Sequence, residues 1–156
     1  MSNFGFVRVG VATPRIEIAN PQYNAQEIIK VIHKAQQNKC SIVVFPELSL
    51  TGYTCGDLFW QKTLLSKTLE GLKIIIEKTA EQNVLTILGL PLFIGQNIYN
   101  CAIAILAGKI RGVVPKIRRK FLEKRWFASG TEMQALQELN LLGQKVPCGR
   151  LIFQCQ

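Results

Sequence analysis

Apolar and polar positions along the chain follow two alternating periods, a pattern typical of an α/β fold. In residues 6–13 every second residue is apolar, which predicts a first strand with valines on one face: Val7, Val9 and Val11. A helix is predicted next, because apolar residues recur at a spacing of three or four positions: Ala25, Ile28, Ile32 and Ala35. Asn24 and Glu27 are spaced as a capping box at its start. The apolar run 42–45 then predicts a buried second strand, so that the chain opens with a βαβ unit.

The same alternation continues through the rest of the chain. A second helix is predicted from an apolar stripe made by Leu65, Leu69, Leu72 and Ile76. Residues 84–89 predict a third strand, and the apolar runs 98–106 and 110–114 flank a short connection with a glycine, which predicts a β-hairpin. Residues 131–142 predict a polar connection with helical character, and residues 151–153 predict the start of a further strand.

Composition places the chain among globular intracellular proteins. Its 156 residues, 48% of them hydrophobic, suffice for one domain with a real core and exclude a disordered segment. No apolar run approaches the roughly 20 residues of a membrane span, and no signal-peptide pattern opens the chain. The five cysteines are odd in number and contain no C-x-x-C pair: Cys40, Cys55, Cys101, Cys148 and Cys155. They predict free thiols in the cytoplasm rather than a disulfide frame or a metal site.

The formal net charge of +9 is concentrated in one segment. Between residues 116 and 125 six basic side chains face a single acidic one, Glu123. Such a cluster could bind phosphates or nucleic acid. No nucleic-acid recognition motif surrounds it, so a solvated loop, or one covered by an acidic partner, is the favoured interpretation.

Glu47 stands at the carboxyl end of the predicted second strand, where Pro46 ends the strand's hydrogen bonding. A carboxylate in this place can meet a ligand in the crevice at the end of an α/β sheet. Tyr53, with a polar tip, lies in the loop that follows, between Thr51-Gly52 and Gly56. On this position alone, a solvated or helix-capping glutamate is the commoner explanation.

Four motifs nevertheless carry a family resemblance. Phe-Pro-Glu-Leu-Ser-Leu-Thr-Gly-Tyr (45–53) resembles the first catalytic segment of the nitrilase or carbon–nitrogen hydrolase superfamily. Three further motifs are Thr-Cys-Gly-Asp-Leu-Phe (54–59), Val-Val-Pro-Lys (113–116) and Glu-Lys-Arg-Trp-Phe-Ala-Ser-Gly (123–130). Together they are similar to the amino-terminal glutaminase domain of glutamine-dependent NAD synthetases over essentially the whole chain. The implied fold is a nitrilase-like α-β-β-α sandwich, two mixed sheets face to face, incomplete at the carboxyl end.

The resemblance implies a Glu–Lys–Cys triad that hydrolyses the side-chain amide of glutamine. Glu47 resembles its general base and Lys116 the cation that stabilises the oxyanion. Glu123 resembles a second carboxylate that holds the lysine; a surface ion pair with a neighbouring basic residue is the alternative. Tyr53 resembles part of the glutamine pocket wall, against the alternative of a core tyrosine with a satisfied hydroxyl. The resemblance implies no cofactor for this domain.

Two departures from the family pattern concern the nucleophile and the segment after Lys116. The segment 117–122 is several residues shorter than the family pattern, either through a true deletion or because residues were left out of the sequence. The nucleophilic cysteine is absent, because Cys155 comes too early and lacks the family context, while Cys55 is only a weak substitute near Glu47. We therefore expect a truncated glutaminase domain that is inactive alone. We also expect a separate synthetase domain that uses ATP and magnesium, and a homo-oligomer.

Two other functions stay open at this point. The chain could be part of a different nitrilase-type amidase that acts on another amide or nitrile. It could also be a non-catalytic module that keeps the fold and uses the basic segment 116–125 as a contact surface. Activity of the full-length product on glutamine and on simple amides distinguishes the first possibility from a glutaminase. Salt-sensitive binding of an acidic partner would indicate the second.

Overall fold

Seven strands form one mixed sheet in the computed structural model, which describes residues 5–133 and 135–149. The strands are β1 (Val9–Val11), β2 (Ile42–Val44), β3 (Leu85–Ile94), β4 (Asn97–Leu106), β5 (Lys109–Pro115), β6 (Leu136–Leu141) and β7 (Gln144–Gly149). Their order in the sheet is β1-β2-β3-β4-β5-β7-β6. The helices are α1 (Pro21–Gln37) and α2 (Lys62–Lys78), and three 3₁₀ turns span Gly56–Trp60, Leu122–Arg125 and Gly130–Glu132.

Both helices cover the same face of the sheet, since each connects two neighbouring parallel strands among β1, β2 and β3 by a crossover of the same hand. The core between the layers contains Val43 of β2 with fully buried residues of the helices, among them Ile28, Ile32, Leu72 and Ile75. The predicted α/β class is thereby confirmed. The described residues supply one of the two sheets, and one helical layer, of the predicted sandwich.

The opposite face of β1 is open. A Cβ on Gly10 would lie 3.7 Å from a methyl group of Val43, so Gly10 faces the helices. Val9 and Val11 therefore point away from the helices, and they are 52% and 84% exposed. The predicted first strand is correct in place and in its valine face, but it is shorter than residues 6–13.

Helix α1 begins at Pro21, three residues before the predicted capping box. Asn20 is its N-cap and accepts a hydrogen bond from the backbone N–H of Tyr23. Asn24 is buried inside the helix instead, where its side-chain amide donates to the carbonyl oxygens of Glu17 (2.8 Å) and Leu50 (3.0 Å). The box prediction was wrong because the spacing of a capping box also fits an asparagine that fastens the helix to a distant loop. That loop is the one that follows Glu47.

The hairpin of β4 and β5 is confirmed, with Ala107 and Gly108 at positive φ in its turn. The predicted helical connection over residues 131–142 was wrong. Most of it is strand β6, which pairs with β7 across a turn at Leu142 and Gly143, both at positive φ. Cys148 lies in β7. The strand predicted at residues 151–153 lies outside the described residues.

Candidate active site

Glu47 is carried by a tight turn that crosses over strand β3. The backbone N–H of Phe45 still donates to Ile87 of β3, and the chain then turns through Leu48, whose φ is 53°. The crossing depends on Gly89, because a Cβ there would lie 2.5 Å from the Leu48 nitrogen and 2.8 Å from the Glu47 Cα. The sequence thus places Glu47 directly above the sheet, with its side chain half exposed.

Lys116 follows the last residue of β5 and is held by backbone hydrogen bonds on both sides. Its N–H donates to the carbonyl of Asn100 in β4 (2.8 Å), and its carbonyl accepts from the N–H of Gly130 (2.9 Å). Gly130 is needed there, since a Cβ would lie 2.9 Å from the carbonyl oxygen of Pro115. The lysine stem is therefore fixed at the same end of the sheet as Glu47.

The Lys116 ammonium lies between two carboxylates. Its Nζ is 2.8 Å from Glu47 Oε1 and 3.0 Å from Glu123 Oε2, so residues 47, 116 and 123 form one charged cluster. The side chain of Glu123 is only 3% exposed. This burial rules out the surface ion pair with a neighbouring basic residue, the alternative left open by the sequence. With two carboxylates and one ammonium, the cluster carries one net negative charge when all three groups are ionised.

Glu123 is satisfied by more than the lysine. The hydroxyl of Tyr53 donates to its Oε1 (2.8 Å), and the backbone N–H of Lys120 donates to its Oε2 (3.0 Å). Burial opposes ionisation of Glu123, but hydrogen bonds from Tyr53, Lys116 and Lys120 outweigh it and hold its pKa below the ordinary value. Tyr53 is 45% exposed, so it is not a core tyrosine and lies at the edge of the cluster.

The cluster also shifts the pKa values of Lys116 and Tyr53. Burial alone would lower the pKa of Lys116, but the hydrogen bonds to Glu47 and Glu123 raise it above the usual lysine value. The pKa of Tyr53 is raised, first by its hydrogen bond to Glu123, because a phenolate there would face a carboxylate. Lys116 and Tyr53 therefore stay protonated at neutral pH, one as a cation and one as a neutral donor.

Asn100 is a member of the cluster that the sequence reasoning missed. It is buried in β4, and its Nδ2 donates to Glu47 Oε2 at 3.3 Å. The signal in the sequence is a single polar residue inside an otherwise apolar strand. Such a residue needs a partner when it is buried, but only the register of β4 in the sheet tells which partner it has.

A cavity of about 320 Å³ opens beside these charges. Glu47, Asn100 and Lys116 are among its lining residues, and its other lining residues are mostly apolar, among them Val44, Ile87, Ala102 and Val114. A carboxylate and an ammonium beside an apolar lining can move a proton and stabilise a developing negative charge. The arrangement therefore suits chemistry at a polarised carbonyl group.

Three of the cysteines, Cys55, Cys101 and Cys148, are not activated. Cys55 is buried, its thiol donates to the carbonyl of Thr51 at 3.1 Å, and burial raises its pKa. Cys101 adjoins the cavity but is 2% exposed, and burial raises its pKa well above the usual thiol value. Burial also raises the pKa of Cys148. Low-pKa thiolates are the reactive form, so these three are inert thiols; Cys155 lies outside the described residues.

The basic segment 116–125 is partly neutralised within the chain. Lys116 pairs with two glutamates, Arg119 lies 3.4 Å from Glu132, and Arg125 lies 2.8 Å from Asp57. These contacts favour a solvated or protein-covered surface over a nucleic-acid site. This interpretation of the segment stays a prediction. Over residues 5–133 and 135–149, no helix is long and apolar enough to cross a membrane, and no three side chains of the metal-binding types come together.

Comparison with known proteins agrees with the motifs. The family model described as carbon-nitrogen hydrolase matches residues 8–152. The glutamine-dependent NAD(+) synthetase of Mycobacterium tuberculosis (H37Rv) is 34% identical over 130 residues, which cover 81% of this chain and 19% of that protein. The enzyme of the same name from Oryza sativa subsp. indica is 31% identical over 122 residues, covering 76% of this chain and 17% of the relative. The chain thus spans about a fifth of the length of these relatives.

A solved structure shares the fold. The glutamine-dependent NAD(+) synthetase from Cytophaga hutchinsonii superposes with a TM-score of 0.83 at 24% identity, covering 96% of this chain and 26% of that chain. The family model, the relatives and the shared fold lead to one conclusion: the chain belongs to the carbon–nitrogen hydrolase family.

Proposed function

We propose that this chain contributes the base and the cation of a glutaminase site that supplies ammonia for NAD synthesis. The observation that carries the proposal is the position of Lys116 Nζ, within 3.0 Å of carboxylate oxygens of both Glu47 and Glu123. Glu47 lies 69 residues away from Lys116 in the chain, so only the fold brings them together. The similarity to glutamine-dependent NAD synthetases supports glutamine as the substrate.

Glu47 is the proposed general base. Its half-exposed carboxylate reaches the cavity, and it is held there by Lys116 and Asn100. In the proposed reaction Glu47 takes the proton from a cysteine thiol, and the sulfur attacks the side-chain amide carbon of glutamine. The thiol is assigned to a residue outside 5–133 and 135–149, since Cys55, Cys101 and Cys148 are inert. Cys40 precedes β2, at the end of that strand away from Glu47.

Lys116 is the proposed partner of the oxyanion. Attack on the amide places negative charge on its oxygen, and an ammonium already fixed at that spot stabilises this charge without reorganisation, by on the order of 3 kcal/mol. Glu123, which accepts a hydrogen bond from Tyr53, holds the ammonium on its buried side. The raised pKa of Lys116 keeps it charged through the reaction.

The two half-reactions balance with Glu47 as a proton carrier. Protonated Glu47 gives its proton to the amide nitrogen, the carbon–nitrogen bond breaks, and ammonia leaves a thioester behind. Glu47 then removes a proton from water, the hydroxide attacks the thioester, and glutamate leaves as the sulfur regains the proton. Tyr53, at the edge of the cluster, is the proposed wall of the glutamine pocket.

The wider reaction involves a second domain. We propose that the ammonia passes to a synthetase portion, which uses ATP and magnesium to amidate deamido-NAD. We propose further that no cofactor acts at the glutaminase site itself. The absence of paired or clustered cysteine motifs supports a cytoplasmic location, and a homo-oligomer is part of the same proposal.

Ammonia release from glutamine tests the proposal. The protein translated from the complete coding sequence is expected to release ammonia from glutamine faster than from asparagine or simple aliphatic amides. The 156-residue chain alone is expected to release none, because burial raises the pKa of Cys55, Cys101 and Cys148. Steady turnover by this chain, or a full-length product that prefers simple amides, would contradict the proposal.

A further inference from the structure

The carboxylate of Asp57 joins two segments of the site that are far apart in the chain. Asp57 belongs to the turn Gly56–Trp60, here called the Asp57 turn. It accepts hydrogen bonds from Arg125 Nε (2.8 Å), Arg125 Nη2 (2.8 Å) and the indole N–H of Trp126 (2.9 Å). The first two form a planar two-point contact, which fixes direction as well as distance. The pKa of Asp57 is lowered by these bonds, first by that from Trp126 and then by that from Arg125.

The partners of Asp57 lie directly after Glu123. Arg125 ends the turn Leu122–Arg125, here called the Glu123 turn, and Trp126 follows it. This turn is a single short 3₁₀ turn whose N-cap residue, Phe121, makes no side-chain hydrogen bond to it. A turn of this length has little stability of its own. The direction of the Glu123 side chain must therefore be set by contacts from outside the turn.

Two kinds of contact come from the segment 53–59. Phe59 is fully buried and packs its ring on those of Trp126 and Phe127, with centroids 6.1 Å and 4.8 Å away. Ring packing of this kind holds the distance between the segments, and apolar burial is less directional than a hydrogen bond. The contacts of Asp57 with Arg125 and Trp126 restrict rotation of the Glu123 turn. They join the same two segments as the hydrogen bond between Tyr53 and Glu123.

We propose that Asp57 is a positioning residue that holds the Glu123 turn in the orientation where Glu123 reaches both Tyr53 and Lys116. Without this contact the Glu123 turn rotates, and the carboxylate leaves the Tyr53 hydroxyl. The relevance for amide cleavage rests on the proposed function. The placement of Glu123 by Asp57 does not, and it is measured without any activity.

Titration of Tyr53 reports on the placement of Glu123. The Tyr53 hydroxyl donates to Glu123, and this bond raises the pKa of Tyr53 above the ordinary value of 10.0. The measurement is an NMR titration of the 156-residue chain with ¹³C-labelled tyrosine, in which the three tyrosines give separate signals. Asp57→Asn is expected to bring the pKa of Tyr53 back toward 10.0.

A second variant separates position from charge. Arg125→Gln breaks the same contact but removes a positive charge, which by itself would raise the pKa of Tyr53. If Asp57 and Arg125 position the Glu123 turn, both variants lower the pKa of Tyr53. A fall in Asp57→Asn with a rise in Arg125→Gln would show a charge effect only, and an unchanged pKa in both would also overturn the proposal.

Glu138→Gln is the matched control. Glu138 forms an ion pair with Lys145, and its side chain is 64% exposed, the same fraction as that of Asp57. The substitution also exchanges one carboxylate for an amide. It is expected to leave the pKa of Tyr53 unchanged, because Glu138 lies in β6, outside the segments that hold the cluster. If the pKa of Tyr53 does not fall in these variants, the positioning role of Asp57 is overturned, but the proposed glutamine hydrolysis is not. The two proposals therefore fail separately.

Discussion

Glu123 is the residue on which the charged cluster depends most. A buried carboxylate is costly unless donors surround it, and here a phenol, an ammonium and a backbone N–H all point at its two oxygens. Lys116 gains from the same arrangement, because it lies against a buried anion and against the half-exposed Glu47. The three ionised groups therefore support one another, and removing one changes the others.

The stability of the chain is expected to depend on pH through Glu123. Its folded-state pKa lies below the ordinary value of 4.5, so the ionised group stabilises the fold above that pH. This contribution is lost as pH falls through the folded-state pKa. Glu123→Gln should cost about 2 kcal/mol at neutral pH, because it replaces charge-assisted hydrogen bonds in a buried place. Urea unfolding at several pH values measures the difference from the unmodified chain.

The difference in free energy of unfolding should shrink as the solution becomes acidic. Glu138→Gln, at an exposed ion pair, is expected to change the stability by no more than about 0.5 kcal/mol. A difference for Glu123→Gln that stays constant down to the acid transition would show that this carboxylate is not held as described.

Sequence motifs reached four members of the cluster but not the residues that fix them. Glu47, Lys116, Glu123 and Tyr53 stand in motifs that can be recognised one by one. The role of Asn100 follows from the register of β4, which no local pattern encodes. The role of Asp57 follows from its approach to residues 68 and 69 positions later in the chain. Long-range contacts of this kind are set by the whole fold.

Among the elements, the crossing of the Glu47 turn over β3 is the tightest contact that shapes the site. Gly89 lies beneath the turn, and its carbonyl accepts a hydrogen bond from the N–H of Leu50. A methyl group at residue 89 would lie 2.6 Å from the carbonyl oxygen of Pro46, closer than Cβ atoms approach such a group. Backbone atoms cannot yield as a flexible side chain can, so the turn would have to move.

Gly89→Ala is expected to destabilise the chain by about 2 kcal/mol and to displace Glu47 from Lys116. Gly10→Ala is the matched control in β1, since a Cβ there meets its neighbours at 3.6 Å or more. It should be neutral, or slightly stabilising through the lower entropy of the unfolded chain. Thermal unfolding and the amide NMR signals of residues 47–50 measure both effects; equal behaviour of the two variants would contradict this account.

Prediction of the elements succeeded where the signals were local. The hairpin of β4 and β5 has apolar runs on both sides of a glycine-containing turn, and both features act over a few residues. The prediction for β6 was wrong because its leucines at 136, 139 and 141 do not alternate strictly. Pairing with β7 supplies the preference for a strand that the local pattern lacks. Pairing across the sheet overrides such weak local patterns.

At the scale of the whole molecule, the sheet has one face covered by helices and one that is largely apolar and accessible. Val9 and Val11 of β1 and Phe93 of β3 are exposed on this second face. Val44 and Ile87 continue it toward Glu47. The order of strands and helices followed from the apolar periods, so the α/β class was predictable. The sequence could not reveal how the exposed face is distributed, because alternation in β1 looks the same whichever face is covered.

An exposed apolar face of this kind favours association between copies of the chain. The 156-residue chain is therefore expected to associate with increasing concentration, and Val11→Lys is expected to shift it toward the monomer in sedimentation velocity. Phe121→Lys is the control, because Phe121 is as exposed as Val11 (85% and 84%) but lies outside the sheet, just before the Glu123 turn. An equal effect of both changes would show that added charge, and not this face, governs association.

Glu47 and Lys116 are proposed to act together on an amide. The most direct test of this claim is the value of kcat for glutamine hydrolysis by the protein translated from the complete coding sequence, carrying Glu47→Gln or Lys116→Met. Each substitution is predicted to lower kcat by roughly 10²–10⁴-fold. Lys145→Met, which removes an exposed lysine of β7, is predicted to leave kcat unchanged. Variants of Glu47 and Lys116 that keep the unmodified kcat would contradict the claim.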